Sequence, residues 1–305
     1  MQQIFITDVS PRDGLQNQAR QVSTADKLQL IRLLVQAGVR SVEVTSFVSP
    51  KAVPQMADAS ELLQQLNLAL PALRSSVLVP NLKGLERAHA AGAKEIAVVL
   101  SATDIMNQKN INMSLEAATQ ASEQTLRQAR AHGLLTRAYI AVAFECPFEG
   151  VPPLDRVIAL TQRMLEAGAR EIVIADTIGA ASPAQVKQRM QALAGIMPLD
   201  QLALHLHDTR GMAVANAWAA LEVGVRRFDA SAGGIGGCPF APGAAGNLAT
   251  EDLVLMAGSS GFTTGIDLDA LLVAVDFAAA SLDRSLGGRS SIWLRRQRDK
   301  VRAAA

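Results

Sequence analysis

The sequence predicts an α/β protein, a closed (β/α)8 TIM barrel with extra C-terminal helices, on three observations. A helix end closed by glycine, a short charged connector and a β-branched run recur along the chain. Eight such runs alternate with amphipathic stretches, which is the count of a closed barrel, although an open doubly wound sheet alternates in the same way. No Gly-x-Gly-x-x-Gly follows the first run, and this weakens the dinucleotide-binding, open-sheet alternative.

The recurring phrase reads Ala37-Gly38-Val39-Arg40 before Ser41–Phe47, Ala91-Gly92-Ala93-Lys94 before Glu95–Leu100, and Ala167-Gly168-Ala169-Arg170 before Glu171–Thr177. A looser copy is Val223-Gly224-Val225-Arg226 before Arg227–Ala232. Glycine just past a helix tolerates the left-handed conformation that stops it, and a β-branched run suits a parallel strand covered on both faces. The same logic places the other strands near Ile4–Ser10, Ser75–Pro80, Thr136–Phe144 and Leu202–Asp208. No linker-like stretch divides the chain, so one catalytic domain is expected over 1–305, with the barrel over about 1–265 and further helices over about 266–305. Gly287–Ala305 reads as a basic tail.

The 305 residues would make two average domains or one barrel of about 250 residues with extensions. With 49% hydrophobic and 19% charged residues, the chain has apolar surface for a large core and lacks the signature of disorder. Its 29 Lys+Arg against 28 Asp+Glu leave a formal charge of +1, so no surplus recruits nucleic acid or an anionic membrane. Aromatic residues at 4% argue against a base-stacking platform. Cys146 and Cys238 are too few for a disulfide scaffold and read as thiols. Neither a signal-peptide pattern nor an uncharged apolar run of about 18 residues is present, and the expectation is a cytoplasmic enzyme without a membrane partner.

In such a barrel, chemistry sits at the C-terminal strand ends, and polar residues concentrate there. The first strand leads into Ser10-Pro11-Arg12-Asp13-Gly14, the second carries Glu43 and Thr45 before Ser46, the sixth ends in Asp176-Thr177, and the seventh carries His205 and His207. Two residues apart on a strand, the two imidazoles point to one side. They are either a satisfied core pair or two ligands of one ion. Asp13 and Asn247 can add oxygens, and two nitrogens with hard oxygens suit six-coordinate Mg²⁺ or Mn²⁺ better than structural zinc. Asn247 is equally placed to cap the helix that follows.

Arg12 beside Asp13 is either a structural ion pair or a fixed guanidinium fork for a developing oxyanion; the bracketing Pro11 and Gly14 favour function. Glu43 can hold Arg12 in place, and Asp176 has the same two readings. Cys238 lies in a segment with glycines at 233, 234, 236, 237, 243 and 246, the composition of a lid or a close-approach cradle, where a thiol can carry a proton. A buried hydrophobic role is its alternative, and it is the reading given to Cys146. His89 and His132 fall on helices, His132 at a helix end.

These residues resemble the hydroxymethylglutaryl-CoA lyase family of TIM-barrel metallolyases from Phe5 to about Gly265. The resemblance is carried by Ser10-Pro11-Arg12-Asp13-Gly14-Leu15-Gln16-Asn17, Thr45-Ser46-Phe47-Val48-Ser49-Pro50-Lys51, Pro80-Asn81-Leu82-Lys83-Gly84, Asp176-Thr177-Ile178-Gly179, His205-Leu206-His207-Asp208-Thr209 and Gly236-Gly237-Cys238-Pro239. It implies Asp13, His205, His207 and Asn247 as ligands of a divalent cation, Arg12 as the enolate-stabilising group and Cys238 as the signature-loop thiol. Glu43 and Asp176 are implied as supporting acids, Gln16 as a substrate-side contact and Ser46 as part of the substrate and cofactor site.

The reaction it implies is cleavage of 3-hydroxy-3-methylglutaryl-CoA to acetyl-CoA and acetoacetate. A metal-acidified C3 hydroxyl gives its proton to Asp13 or His205, and Arg12 meets the resulting enolate. Asp8, Val173, Ala175 and Arg210 depart from the family pattern, so the acyl group recognised stays open between this substrate and related 3-hydroxyacyl-CoA thioesters. Condensing synthases of related barrels share the Arg-Asp and His-x-His motifs but carry a long C-terminal extension. The basic tail is either a solvated helix face or a contact for CoA phosphates or a second subunit of a homo-oligomer.

Overall fold

The computed structural model describes residues 2–237 and 246–304. A short β1 (Gln2–Gln3) is followed by β2 (Phe5–Asp8), β3 (Ser41–Ser46), β4 (Arg74–Leu78), β5 (Glu95–Ser101), β6 (Leu135–Ala141), β7 (Glu171–Asp176), β8 (Leu202–Leu206) and β9 (Arg227–Ala230). Strands β2 to β9 are parallel and close into one barrel, because β9 returns to β2 with Thr7 opposite Asp229. Closure leaves no unpaired edge. Outside it, β1 pairs with β10 (Phe262–Thr263).

Among the described residues, α1 (Thr24–Gln36), α2 (Ala59–Ala69), α3 (Leu82–Ala90), α4 (Asp104–Ile111), α5 (Leu115–Ala131), α6 (Leu154–Ala167), α7 (Pro183–Ala194), α8 (Ala213–Val223) and α9 (Thr250–Ser259) separate or follow the strands. The extra C-terminal helices are α10 (Leu268–Leu282) and α11 (Ser291–Ala304). Local chemistry starts several of them: Ser23, Asn81 and Ser114 each accept an N-terminal backbone amide, and Ser182 with Gln185 forms a reciprocal cap on α7. His132 closes α5 and stacks on His89 with ring centroids 4.4 Å apart. No helix of the described residues is long and apolar enough to cross a membrane.

Outward-facing Val42, Val44, Ile96, Ile140, Ile172, Ile174 and Leu204 are fully buried under the helices, as the β-branched runs require. The lumen is different. Every second residue of a strand points inward, and these include Arg74, Glu95, Arg137, Glu171, Arg227 and Asp229 near the N-terminal ends, below a layer of Leu78, Ala97, Tyr139, Val173 and Ala203. The lower charges cancel pairwise: Arg74 binds Glu95 at 2.7 Å, and Arg137 binds Glu171 at 2.7 Å and Asp229 at 2.8 Å.

Some expected strand ends are shorter than the apolar runs suggest. The first stops at Asp8, where Ser10–Gly14 forms a π-helical turn. The fifth stops at Ala141, because Val142 turns to φ +48°, an uncommon conformation for a β-branched residue, and donates its N–H to Thr177 Oγ1 at 2.8 Å. The seventh stops at Leu206, yet His207 continues as an isolated bridge to Asn247.

Gly38, Gly92, Gly168 and Gly224, the four glycines of the recurring phrase, are all left-handed. At Gly38, with φ +101°, a Cβ would also sit 2.2 Å from the Gly265 carbonyl oxygen, so backbone would have to move. At Gly133, with φ +75°, no atom of the described residues lies within 4 Å of that position, leaving only the conformational cost of about 1–2 kcal/mol. Gly38→Ala should therefore lower the calorimetric unfolding midpoint well beyond Gly133→Ala; equal losses would refute the close-approach argument.

Candidate metal centre

The site begins with the turn after β2. Asp8, fully buried, accepts from the Ser10 amide at 2.9 Å, the Ala232 amide at 3.1 Å and Thr250 Oγ1 at 2.8 Å, and also from the Ser10 hydroxyl. It thereby joins the end of β2 to the segment after β9 and to the start of α9. Pro11, early in the π-helical turn, removes an amide that the turn would leave unsatisfied, and Arg12 and Asp13 project from the turn toward the lumen.

Arg12 is clamped from two sides. Its Nε and one terminal nitrogen lie 2.5 Å from Glu43 Oε2, and the other lies 2.6 Å from Asp13 Oδ1. Burial disfavours the guanidinium charge, but Glu43 and Asp13 outweigh it and hold Arg12 protonated. Burial likewise pushes the Asp13 carboxyl up, while Arg12 and the two imidazoles together hold it below its usual range. Gln16 donates to Asp13 Oδ1 at 3.0 Å.

From β8, His205 and His207 face the same cavity, with ring centroids 5.2 Å apart. One donor atom each from Asp13, His205 and His207 lies within 4.8 Å of the others. Six-coordinate Mg²⁺ with bonds of about 2.1 Å places its most distant donors about 4.2 Å apart, so this span is only slightly wider. Burial drives the His207 imidazole down to about 4, with His205 adding to the effect, which keeps an electron pair free near neutral pH.

Asn247 reaches the same place through the backbone. Leu248 donates to Leu206 O at 2.8 Å and Asp208 to Gly246 O at 3.0 Å, so Asn247 lies antiparallel to His207. The helix cap at α9 is Ala249, two residues further on, and the capping alternative for Asn247 falls away. Its amide nitrogen donates to Asp13 Oδ2 at 2.8 Å and Ile235 O at 2.9 Å, while Oδ1 is buried without a hydrogen-bond partner among the described residues. An unpaired buried carbonyl oxygen is costly in a finished protein interior, and beside a carboxylate and two imidazoles it fits an oxygen-preferring cation.

The cavity above these groups has a volume of about 320 Å³, bounded by Arg12, Tyr139, Ala175, Thr177 and the Met106–Ile111 side of α4. Gly237 also lines it, and Asn17 donates to the Gly237 carbonyl at 3.3 Å. Cys238 lies outside the described residues. Asp176 does not join the cluster, because its two oxygens accept the Ala180 and Ala181 amides at 2.8 and 3.0 Å. Ser46 is fully buried at the end of β3 and is absent from the cavity wall. Of the residues that depart from the family pattern, Ala175 lines the cavity and Val173 lies in the packed layer beneath it. Arg210 turns away to Glu145 at 3.1 Å.

Sequence reasoning missed Asp229, which pairs with His205 in the β8–β9 register and whose Oδ2 lies 3.3 Å from His205 Nδ1. It also missed Arg137 and Tyr139, which donate to Asp229 at 2.8 and 2.7 Å. The available signal was charge at period two within apolar strands, as in Arg227-Phe228-Asp229 and Arg137-Ala138-Tyr139.

A closed β/α barrel whose C-terminal mouth gathers a carboxylate, two imidazoles, an unpaired amide oxygen and a clamped guanidinium defines a class, the barrel enzymes with a candidate divalent-metal centre. Within that class, the HMGL-like family model matches residues 3–277, and this chain belongs to that family as a carbon–carbon lyase. It is 44% identical to the mitochondrial hydroxymethylglutaryl-CoA lyase of Bos taurus over 282 residues, covering 92% of this chain and 86% of that protein. The HMG-CoA lyase structure from Bacillus subtilis superposes with a TM-score of 0.93 at 40% identity, covering 97% of this chain and 99% of that one. The HMG-CoA lyase from Acinetobacter baumannii, solved with coenzyme A and 3-methylmalate, gives 0.90 at 39% identity, covering 95% and 94%.

Burial raises the Asp8 carboxyl to about 6, against its hydrogen bonds. Between about pH 4 and 6 the folded protein therefore keeps a proton that the unfolded chain has released, and stability falls as pH rises through that window. Asp8→Asn should be less stable overall, having lost acceptor oxygen, but should show a shallower decline in urea-unfolding free energy from pH 4.5 to 6.5. An unchanged slope would show that Asp8 titrates as it does in the unfolded chain.

Proposed function

We propose that this lyase converts 3-hydroxy-3-methylglutaryl-CoA to acetyl-CoA and acetoacetate with Mg²⁺ or Mn²⁺ held by Asp13, His205, His207 and Asn247. The observation that carries the reading is the convergence of these four side chains beside Arg12, with the Asn247 oxygen unpaired. The hydroxymethylglutaryl-CoA lyases among its relatives support the substrate, and the Acinetobacter complex supports coenzyme A as its carrier. When bound, a divalent cation supplies Lewis acidity that lowers the pKa of a chelated hydroxyl.

The remaining work falls to the chain. Asp13 or His205 accepts the proton of the C3 hydroxyl. The C2–C3 bond then breaks, leaving a ketone at C3 and the bonding pair at C2, delocalised onto the thioester oxygen. Arg12 meets that oxygen with a charge it cannot lose, and the hold of Glu43 and Asp13 means that little reorganisation is needed as the enolate forms. Cys238 or a water returns a proton to C2, which balances the reaction. Gln16 contacts the substrate beside Asp13, while Glu43 holds Arg12 and Asp176 holds the loop after β7.

Arg12→Gln should lower kcat about 10²–10³-fold with a much smaller change in KM, since the lost charge acts on the enolate. A wild-type kcat would remove its role. Exhaustive chelation should abolish turnover, and Mn²⁺ or Mg²⁺ should restore it, measured as acetoacetate formed; full activity in protein verified metal-free by mass spectrometry would refute the centre. Product analysis over a panel of 3-hydroxyacyl-CoA thioesters, malyl-type compounds included, tests the substrate, and cleavage of malyl-type compounds alone would replace it.

A further inference from the structure

We propose that Asp229 is a positioning residue that orients His205, placing the ring proton on Nδ1 and turning the Nε2 electron pair into the cavity. Asp229 is almost wholly buried, and its carboxylate is surrounded by donors: Arg137 to Oδ1 at 2.8 Å, and Tyr139 Oη at 2.7 Å and His205 Nδ1 at 3.3 Å to Oδ2. An ionised carboxylate offers only acceptors, so the ring nitrogen that faces it must donate. Arg137 keeps Asp229 ionised and is itself fixed by Glu171 at 2.7 Å. Asp229 therefore cannot swing away without breaking one of the two ion pairs of a buried guanidinium and losing the Tyr139 hydrogen bond.

His207 offers the contrast within the same site. Its Nδ1 is buried with no hydrogen-bond partner among the described residues, none of which is placed to select its tautomer as Asp229 does for His205. The two imidazoles, alike in sequence, thus differ in preorganisation. His205 is set by a chain running from β7 through β6 and β9, whereas His207 is set by its backbone bridge to Asn247. A carboxylate behind a ligating imidazole fixes ring orientation and raises donor strength, and its loss typically costs about 10–100-fold in metal affinity.

The metal arm of the test rests on the reading of His205 as a cation-holding residue; the tautomer arm does not. The chain has four histidines, so ¹⁵N-histidine labelling gives a tractable spectrum, with His205 assigned through His205→Gln. In metal-free wild-type protein at a pH where the ring is neutral, the ring shifts should report the Nδ1-protonated form; an Nε2-protonated His205 overturns the proposal without any variant. In Asp229→Asn three donors compete for one carbonyl oxygen. The His205 shifts should then move toward a tautomer mixture, and the Mn²⁺ dissociation constant, read by electron paramagnetic resonance, should rise about 10–100-fold. Unchanged ring shifts in a folded Asp229→Asn, checked by circular dichroism, overturn the positioning role. Moved ring shifts with unchanged Mn²⁺ affinity sustain it and overturn instead the placement of His205 on the cation.

Discussion

Charge inside a barrel must be cancelled where it stands, because the lumen admits little water and the strands cannot move apart to let it in. Here the cancellation is continuous. Glu171 neutralises Arg137, Arg137 neutralises Asp229, and Asp229 faces His205. On the far side of the cavity Glu43 and Asp13 share Arg12. Each group is held by the next, so removing any one takes a charged or hydrogen-bonded partner from a buried neighbour.

The arrangement also sets an asymmetry with chemical consequences. The cationic Arg12 and the carboxylate Asp13 are adjacent in sequence, yet they face different tasks because the π-helical turn holds one against Glu43 and the other against the imidazoles. Below them the lumen becomes apolar at Leu78, Ala97, Val173 and Ala203, a layer between the polar mouth and the ion pairs near the N-terminal strand ends, and low-polarity surroundings strengthen the interactions made at the mouth. Tyr139 spans both zones, its ring in the apolar layer and its hydroxyl on Asp229.

The backbone carries part of the site that side-chain patterns do not announce. Asn247 follows a glycine-rich segment and precedes an acidic helix start, a context that suits a cap equally well. It faces His207 because residues 246–248 form a short antiparallel continuation of β8. The Asp8 hub acts in the same way, tying the β2 turn to Ala232 and Thr250 so that elements more than two hundred residues apart in the chain meet at one corner.

The eight strands, the glycines that end helices and the clustering of Arg12, Asp13, His205 and His207 at strand ends were legible in one dimension, since hydrophobic period and turn chemistry are local properties. Local pattern also made each of these polar residues suspicious without saying which ones meet. Only barrel closure decided that Asp229 stands behind His205, that Asn247 lies beside Asp13 with its amide oxygen unpaired among the described residues, and that Asp176 is consumed by the amides of its own loop. Those assignments depend on strand register and on backbone pairing between distant segments, where a shift of one residue would turn each side chain to the opposite face.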